Sequence, residues 1–167
     1  MTTRDAAVAV IAAHVVAAAV ECEQPDPYSF VVVLPGERKL RTTTSFTVGQ
    51  HTLTVEAFVM RAPEDNVAAV HRWLLERNVH LTMLAYAVDE HGDIYVSGRV
   101  PLAAVTDDLI DAILGQVLEA ADDPFNLLLE LGFTSAIRRE WAWRLERGES
   151  TANLAAFEAL RPPTEGD

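Results

Sequence analysis

The residues best suited to chemistry lie in the segment HLTMLAYAVDEHGDIYVSGRVPL, from His80 to Leu102. Its central DEHGD places three carboxylates and a histidine around Gly92, a set that could bind a metal ion or transfer protons. Calcium loops, however, need ligands at fixed alternating positions and a distal bidentate glutamate, and neither is present. Gly92 instead supplies the positive φ that a tight loop requires. We therefore interpret DEHGD as the tip of a β-hairpin and expect no metal site.

The other histidines and the single cysteine also fail to form a catalytic pattern. In HRWLLERNVH, His71 and His80 lie more than two helical turns apart, whereas the zinc-binding H-E-x-x-H places two histidines one turn apart. His71 shares the predicted inner face of the second helix with Val67, Val70, Leu74 and Leu75, so we expect it in the core or at an interface. Cys22 is predicted at the end of a helix between two glutamates, which raises the pKa of a thiol and disfavours nucleophilic attack.

The patterns that mark nucleophilic serines or phosphate sites are absent from the sequence. No serine lies in a G-x-S-x-G elbow, and no glycine-rich loop precedes a helix in a phosphate-binding pattern. The pairs Asp107–Asp108 and Asp122–Asp123 both fall at predicted helix starts, where capping accounts for them. We therefore expect no catalytic residues, no cofactor and no enzyme activity.

The segment IRREWAWRLERG carries the only basic patch. Its arginines and tryptophans could stack on nucleic acid, but glutamates nearly cancel the charge, and Glu140 pairs with Arg144 one turn away. Trp141 aligns with Ile137 on one helix face, whereas Trp143 points elsewhere. Two aromatic faces predict that this helical arm packs on the domain or on a second chain. The candidate partner-binding residues are Trp141, Trp143, Arg139 and Arg144.

Composition narrows the class of partner. The chain has 167 residues, of which half are hydrophobic, and a formal net charge of −12. It lacks the basic footprint that nucleic acids and anionic membranes require. The single cysteine permits no internal disulfide, which fits a reducing cytoplasm. The apolar run from Ala6 to Val20 is shorter than the ~20 residues that span a bilayer, so we favour a domain helix over a secretion signal.

Alternation of apolar and polar residues predicts an antiparallel sheet with one buried face and one solvent-exposed face. A two-residue loop at Gly49-Gln50 pairs Val48 with His51 and, counting outward, Phe46 with Leu53. This register separates apolar from polar side chains onto opposite faces. The five predicted strands are Tyr28–Pro35, Leu40–Val48, His51–Met60, Leu81–Val88 and Ile94–Val100.

The second hairpin closes at Val88 and Ile94, which pairs Tyr86 with Val96 and sets Gly98 opposite Leu84. Gly98 would leave room beside these bulky side chains. If the protein binds a small ligand, we expect the pocket between the helices and the sheet near these residues. Its candidate residues are His71, Tyr86 and Gly98.

The order of elements predicts an α+β domain of two layers, a five-stranded antiparallel sheet with helices on one face. This domain spans residues 1–133, followed by a helical arm over residues 134–160 and a disordered tail over residues 161–167. The helix signals are Pro63 and Asn78 at the ends of the second helix, Thr106 as cap of the third, Asp123 and Pro124 at a restart, Gly132 as a stop, and Ser135 and Gly148 at the ends of the arm.

Four segments resemble the YbjN-domain proteins in their actinobacterial form. They are LPGERKLRTTTSFTVGQHTLTVEAFVMR, VHRWLLERN, DEHGDIYVSGRVPL and FNLLLELGFTSAIRREWAWR, and the match runs from about Tyr28 to about Leu160. The resemblance implies a fold like that of type III secretion chaperones, and a label of sensory transduction regulator that names no reaction. Relatives of that fold are typically dimers that bind extended protein segments. No catalytic motif defines the family.

The expected function is a non-enzymatic, cytoplasmic protein-binding module, chaperone-like or regulatory. We expect a homodimer with a protein partner and no nucleic acid or membrane. The alternative is a small-ligand sensor that uses the predicted pocket between helices and sheet.

Overall fold

The computed structural model of the chain describes residues 1–163, which form one antiparallel sheet and five α-helices. The strands are β1 (Glu21–Asp26), β2 (Ser29–Pro35), β3 (Arg41–Val48), β4 (Thr52–Met60), β5 (Ala85–Val88) and β6 (Ile94–Pro101). The helices are α1 (Thr3–Ala17), α2 (Val67–Asn78), α3 (Asp107–Ala121), α4 (Phe125–Gly132) and α5 (Thr134–Arg147). Short 3-10 segments span Leu102–Ala104 and Ala152–Leu160.

The predicted α+β class is confirmed, but the sheet has six strands, in the order β1-β2-β3-β4-β6-β5. The unpredicted strand is β1, which pairs Cys22 with Val32 of β2. α1 ends at Ala17, earlier than predicted, and Ala19 at φ 52° precedes the strand. Glutamate and proline are depleted in strands, so ECEQPD carries little strand signal. An edge strand tolerates both residue types, because its outer side pairs with no neighbour.

The first predicted hairpin is right in its faces and wrong in its register. Val48 pairs with Leu53 and Phe46 with Val55, a shift of two residues from the prediction. The loop is correspondingly longer, and the N–H of Gly49 donates to the carbonyl of Thr52 at 2.9 Å. A shift of two preserves the side of the sheet on which each side chain lies, so the predicted inner residues are buried nonetheless.

The second hairpin has the predicted register, with Val88 opposite Ile94 and Tyr86 opposite Val96. Strand β5 is only four residues long. The preceding residues leave the ladder, because the N–H groups of Met83 and Leu84 both donate to the side-chain oxygen of Gln116.

Helix α2 buries less than its sequence predicts. The expected inner face was Val67, Val70, His71, Leu74 and Leu75, but only Val70 and Leu74 are fully buried, and Leu75 is 68% exposed. The helix begins at Val67 rather than at Pro63, because the N–H groups of Glu64 and Asp65 donate to the carbonyl of Gly132.

The arm is attached to the domain by Asp65. Its carboxylate accepts bonds from the backbone N–H of Ser135 at 2.7 Å and from the Ser135 hydroxyl at 3.0 Å. Ser135 was the predicted opening residue of this helix, yet the capping carboxylate comes from 70 residues earlier in the chain. Gly148 ends α5 at φ 65°, as predicted.

The chain beyond α5 folds back on the arm. Leu154 and Phe157 of the last 3-10 segment are buried. Arg161, the first residue of the predicted disordered tail, lies with its guanidinium 5.4 Å from the centre of the Trp141 ring. Residues 164–167 of that tail lie outside the described residues. Among the described helices, none combines the length and hydropathy needed to cross a membrane.

Candidate functional site

An apolar cavity of about 370 Å³ opens where the end of β4 meets α4. Strand β4 reaches it through an irregularity between Phe58 and Met60, which pair with Tyr95 and Ile94 of β6. Bulges of this kind change the direction of side chains. The ring of Phe58 contacts Tyr95 edge to face, with ring centres 5.4 Å apart. The cavity is lined by Lys39, Phe58, Val59, Met60, Arg61, Phe125, Leu129 and Phe133.

Lys39, the single lysine of the chain, contributes an ammonium group to this apolar cavity. Its Nζ donates to the carbonyl of Phe58 and lies 5.1 Å from the centre of the Phe58 ring and 5.7 Å from that of Phe125. Both distances suit a cation–π interaction. Burial lowers the pKa of Lys39 to about 8, and nearby Asp122 opposes that shift only in part.

Asp122 fixes the loop that carries Lys39. Its buried carboxylate accepts hydrogen bonds from the backbone N–H groups of Glu37, Arg38 and Lys39, at 3.0, 2.9 and 2.7 Å. Burial alone would raise the pKa of Asp122, but these three donors outweigh it and hold the pKa below its usual value. A side chain at Gly36 would collide with this carboxylate, so the turn requires glycine.

The predicted capping role of the Asp122–Asp123 pair is therefore wrong. Asp122 closes the end of α3 and binds a distant loop, while α4 has no side-chain cap. Asp123 lies 3.6 Å from Arg38 in an exposed ion pair. The predicted cap at Thr106 is confirmed, since its hydroxyl accepts a bond from the N–H of Leu109 at the start of α3.

Trp141 lies in the interior of its own chain, with 1% of its surface exposed. Its indole Nε1 donates to the carbonyl of Phe157 at 3.1 Å, which holds the last 3-10 segment on α5. Trp141 was predicted among the partner-binding residues, and this burial leaves it no surface for a partner. An apolar ring with one satisfied polar atom is instead a core residue of the arm.

Trp143 has the opposite environment, with 40% of its surface exposed. It lines a surface concavity of about 640 Å³ with Arg139 and Arg144. Arg144 is immobilised, because it bonds to the Glu140 carboxylate at 2.6 Å and to the Ser150 carbonyl at 2.7 Å. Arg139 is far less constrained, since it reaches Glu64 only at 4.0 Å. These three predicted partner-binding residues therefore share one accessible surface, which we call the Trp143 surface.

The residues of the predicted pocket are used in packing. The hydroxyl of Tyr86 donates to the carbonyl of Ala120 at 2.7 Å, and burial raises the pKa of this phenol. A side chain at Gly98 would collide with the carbonyl of Met83, so the close approach of the chain fills that space. His71 is half-buried, and its Nε2 has no hydrogen-bond partner among the described residues. Neither cavity described above is lined by any of the three.

The DEHGD segment forms the predicted turn. The Asp89 carboxylate accepts bonds from the N–H groups of His91 and Asp93, at 2.8 and 2.9 Å, and Gly92 adopts φ 83°. Asp93 accepts a bond from the N–H of Ala62 at 2.8 Å, which ties the turn to the end of β4. Within residues 1–163, no group of three histidine, cysteine or carboxylate side chains is arranged to hold a metal ion.

Cys22 lies on the edge strand β1 and not at a helix end, contrary to its predicted position. Burial and the neighbouring Glu23 carboxylate raise the pKa of its thiol. The direction is the one that the sequence predicts, although the main cause is different. A thiol of raised pKa carries little thiolate at neutral pH and is a poor nucleophile.

Two mycobacterial proteins are similar to this chain over most of its length. Rv0487 of Mycobacterium tuberculosis (strain ATCC 25618 / H37Rv) is 55% identical over 138 residues, which cover 83% of this chain and 75% of that protein. ML2442 of Mycobacterium leprae (strain TN) is 54% identical over 130 residues, which cover 78% of this chain and 71% of that protein. Both carry the description "Uncharacterized protein".

Two solved structures share the fold. The ExsC-ExsE complex matches with a TM-score of 0.56 at 18% identity, over 77% of this chain and 97% of that chain. The HopA1-SchA chaperone-effector complex matches with a TM-score of 0.50 at 8% identity, over 68% of this chain and 88% of that chain. At these identities the likeness concerns the fold alone, and it confirms the predicted type III secretion chaperone-like fold.

The family model described as "Putative bacterial sensory transduction regulator" matches residues 7–130. This range contains the whole sheet, the helices α2 and α3, and most of α1 and α4. The arm with the Trp143 surface follows it. By this match and by the motifs that its sequence carries, the chain belongs to the YbjN family.

Proposed function

We propose that this chain is a non-enzymatic, cytoplasmic module that binds another protein, in a chaperone-like or regulatory role. The observation that carries the proposal is the contrast between the two tryptophans of α5. Trp141 is fully buried and holds the arm together, whereas Trp143 is 40% exposed beside Arg139. Large exposed aromatic side chains on a single chain often mark interaction sites, and tryptophan and arginine are the commonest interface anchors.

The known complexes of this fold support a protein partner. The ExsC-ExsE structure is a complex, and the HopA1-SchA structure is a chaperone-effector complex. Since a shared fold does not by itself transfer a function, the proposal depends on the Trp143 surface of this chain.

The sheet edges support binding through side chains rather than through an added strand. On β5 the N–H of Tyr86 donates to the Asn78 side chain at 2.7 Å, and the Asn78 amide donates back to the Tyr86 carbonyl at 3.4 Å. This exchange occupies backbone groups that a docking strand would need. The opposite edge, β1, is ECEQPD, whose charges and proline oppose strand pairing.

We further propose that the protein is a homodimer and that the outer face of α2 makes the contact. Val67, Leu75 and Val79 are 43%, 68% and 82% exposed. Leu75 and Val79 are four residues apart and are neighbours at the C-terminal end of α2, and Val67 begins the same helix. Exposed apolar side chains grouped on the outer side of a helix are commonly covered by another chain. The Trp143 surface would then remain available in each protomer.

Affinity purification from the native host tests the protein-binding proposal. The bait is compared with a Trp143→Ala variant and with Leu40→Ala, a matched control at an apolar residue that is 82% exposed in the loop before β3. The expected result is a protein that both wild type and control retain and that Trp143→Ala loses. Calorimetry with the purified partner should reproduce the loss, at least about 1.4 kcal/mol or tenfold. A partner set that is the same for all three baits would contradict the proposal.

A further inference from the structure

The walls of the cavity near Lys39 are suited to an apolar molecule. Three phenylalanines, Phe58, Phe125 and Phe133, line it together with aliphatic side chains and one methionine. Its volume of about 370 Å³ is at the lower end of the roughly 300–1,000 Å³ that small-molecule pockets occupy. A small molecule with an apolar body therefore fits both the size and the surface of this cavity.

The same cavity contains two positive charges and no negative one. Lys39 and Arg61 are its only charged lining residues. Neither forms an ion pair with a carboxylate within residues 1–163. The Arg61 guanidinium lies 5.8 Å from the centre of the Phe133 ring. In a chain of net charge −12, two cations on one apolar cavity are a local reversal of charge.

Both cations retain donors for an anion. An ammonium group has three N–H donors, and Lys39 uses one on the carbonyl of Phe58. The Asp122 carboxylate accepts three backbone N–H bonds from the loop and none from the Lys39 ammonium, so the other two donors stay free. A guanidinium group presents a planar fork of donors that matches a carboxylate.

From these contacts we propose that the cavity binds a small monocarboxylate with an apolar body, such as a medium-chain fatty acid. The carboxylate lies between Lys39 and Arg61, and the apolar body lies against the three phenylalanine rings. A neutral apolar molecule would leave the free N–H donors of the half-buried ammonium without an acceptor, which is costly. A phosphate would leave the apolar walls unused. The site is separate from the Trp143 surface, so it does not depend on the proposed protein-binding function.

Calorimetric titration with octanoate tests the site, with 1-octanol and octylammonium as ligands of the same body and different charge. We expect saturable binding of octanoate, at least about tenfold weaker binding of octanol, and none of octylammonium. Lys39→Met and Arg61→Met should each weaken octanoate by about tenfold or more while leaving octanol nearly unchanged. Arg99→Met, which changes an exposed arginine outside the cavity, should bind like wild type.

Lys39 itself provides a second readout, because it is the single lysine of the chain. Expression with carbon-13-labelled lysine labels Lys39 alone and leaves the N–H donors of its ammonium group unmodified. Octanoate should raise the pKa of the Lys39 signal from about 8 toward the ordinary value for lysine, about 10.4. Trp143→Ala should show the same shift. Equal affinities for octanoate and octanol, or a Lys39 signal that octanoate leaves unchanged, would overturn the proposal.

Discussion

The carboxylate of Asp122 accepts a hydrogen bond of 2.7 Å from the backbone N–H of Lys39, 83 residues earlier in the chain. With the bonds to Glu37 and Arg38, this contact fixes the loop before β3 on the end of α3. The loop in turn places the Lys39 side chain in the apolar cavity. One buried aspartate at the end of α3 therefore fixes the position of Lys39 in the cavity, because it binds the backbone of the loop that carries this lysine.

Replacing Asp122 should destabilise the fold in a pH-dependent way. Asp122→Asn should lose about 1.5–3 kcal/mol of unfolding free energy at pH 7, because charge-assisted bonds become neutral or unmade. The folded-state pKa lies below the unfolded value of about 3.9. The contribution of Asp122 is thus present above that value and is lost as the pH falls through the folded-state pKa. Urea unfolding should show wild type and variant converging toward low pH.

Asp123→Asn is the matched control for this experiment. Its carboxylate is exposed and reaches Arg38 only at 3.6 Å, so the substitution should change the unfolding free energy by less than about 0.5 kcal/mol. An Asp122→Asn loss that stays constant from neutral to acid pH would show that the carboxylate charge contributes nothing.

The two tryptophans of α5 should separate stability from binding. Trp141→Ala should cost about 3–5 kcal/mol, because it empties a buried site and removes the bond to Phe157. Trp143→Ala should change stability by less than about 1 kcal/mol, since the side chain is 40% exposed. Denaturant unfolding followed by circular dichroism measures both. Similar losses for the two variants would contradict the assignment of Trp141 to the core and Trp143 to a surface.

The DEHGD turn should depend on its glycine more than on its acids. Gly92→Val should cost on the order of 1–2 kcal/mol, because it forces a β-branched residue to φ 83°. Asp89→Ala and Asp93→Ala should each cost less, since each removes hydrogen bonds at a partly exposed turn. Thermal unfolding ranks the three variants. An aspartate variant with a lower melting temperature than Gly92→Val would contradict this interpretation of the turn.

Calorimetry checks the metal-binding alternative for the same turn. Calcium, magnesium and zinc should give no saturable heat with the wild-type protein, because the Asp89 and Asp93 carboxylates already accept backbone N–H bonds. Micromolar binding that disappears in the Asp89→Ala, Asp93→Ala double variant would establish a metal site instead.

The faces of the strands were predictable, because inward and outward residues alternate with period two. The register of β3 and β4 was not, since pairing Val48 with Leu53 rather than with His51 keeps every side chain on its face. Strand β1 escaped prediction because ECEQPD combines glutamates, aspartate and proline, which are depleted in strands, and it forms a strand only at the edge of the sheet.

Long-range polar contacts were the other part that sequence patterns could not supply. Asp65 binds Ser135 across 70 residues, and Asp122 binds Lys39 across 83, whereas capping rules compare residues three or four apart. The Trp143 surface was predicted from its residue types, although Trp141 belongs to the core. The apolar cavity was missed. The single lysine, at position 39, was its only signal in the sequence.

Self-association tests the outer face of α2. We expect wild-type protein to sediment as a dimer at micromolar concentration, because Leu75 and Val79 expose apolar surface that a second copy would cover. In a symmetric dimer each substitution enters the interface twice, so Leu75→Glu should convert the protein to a monomer. Its circular dichroism should stay native, since Leu75 is 68% exposed in the single chain.

Leu40→Glu, at a residue 82% exposed in the loop before β3, is the matched control and should remain dimeric. Trp143→Ala should remain dimeric as well, which separates this contact from the proposed partner surface. If the wild-type chain sediments with the mass of one chain, the dimer is contradicted. If Leu75→Glu stays dimeric while Trp143→Ala dissociates, the second copy binds the arm instead.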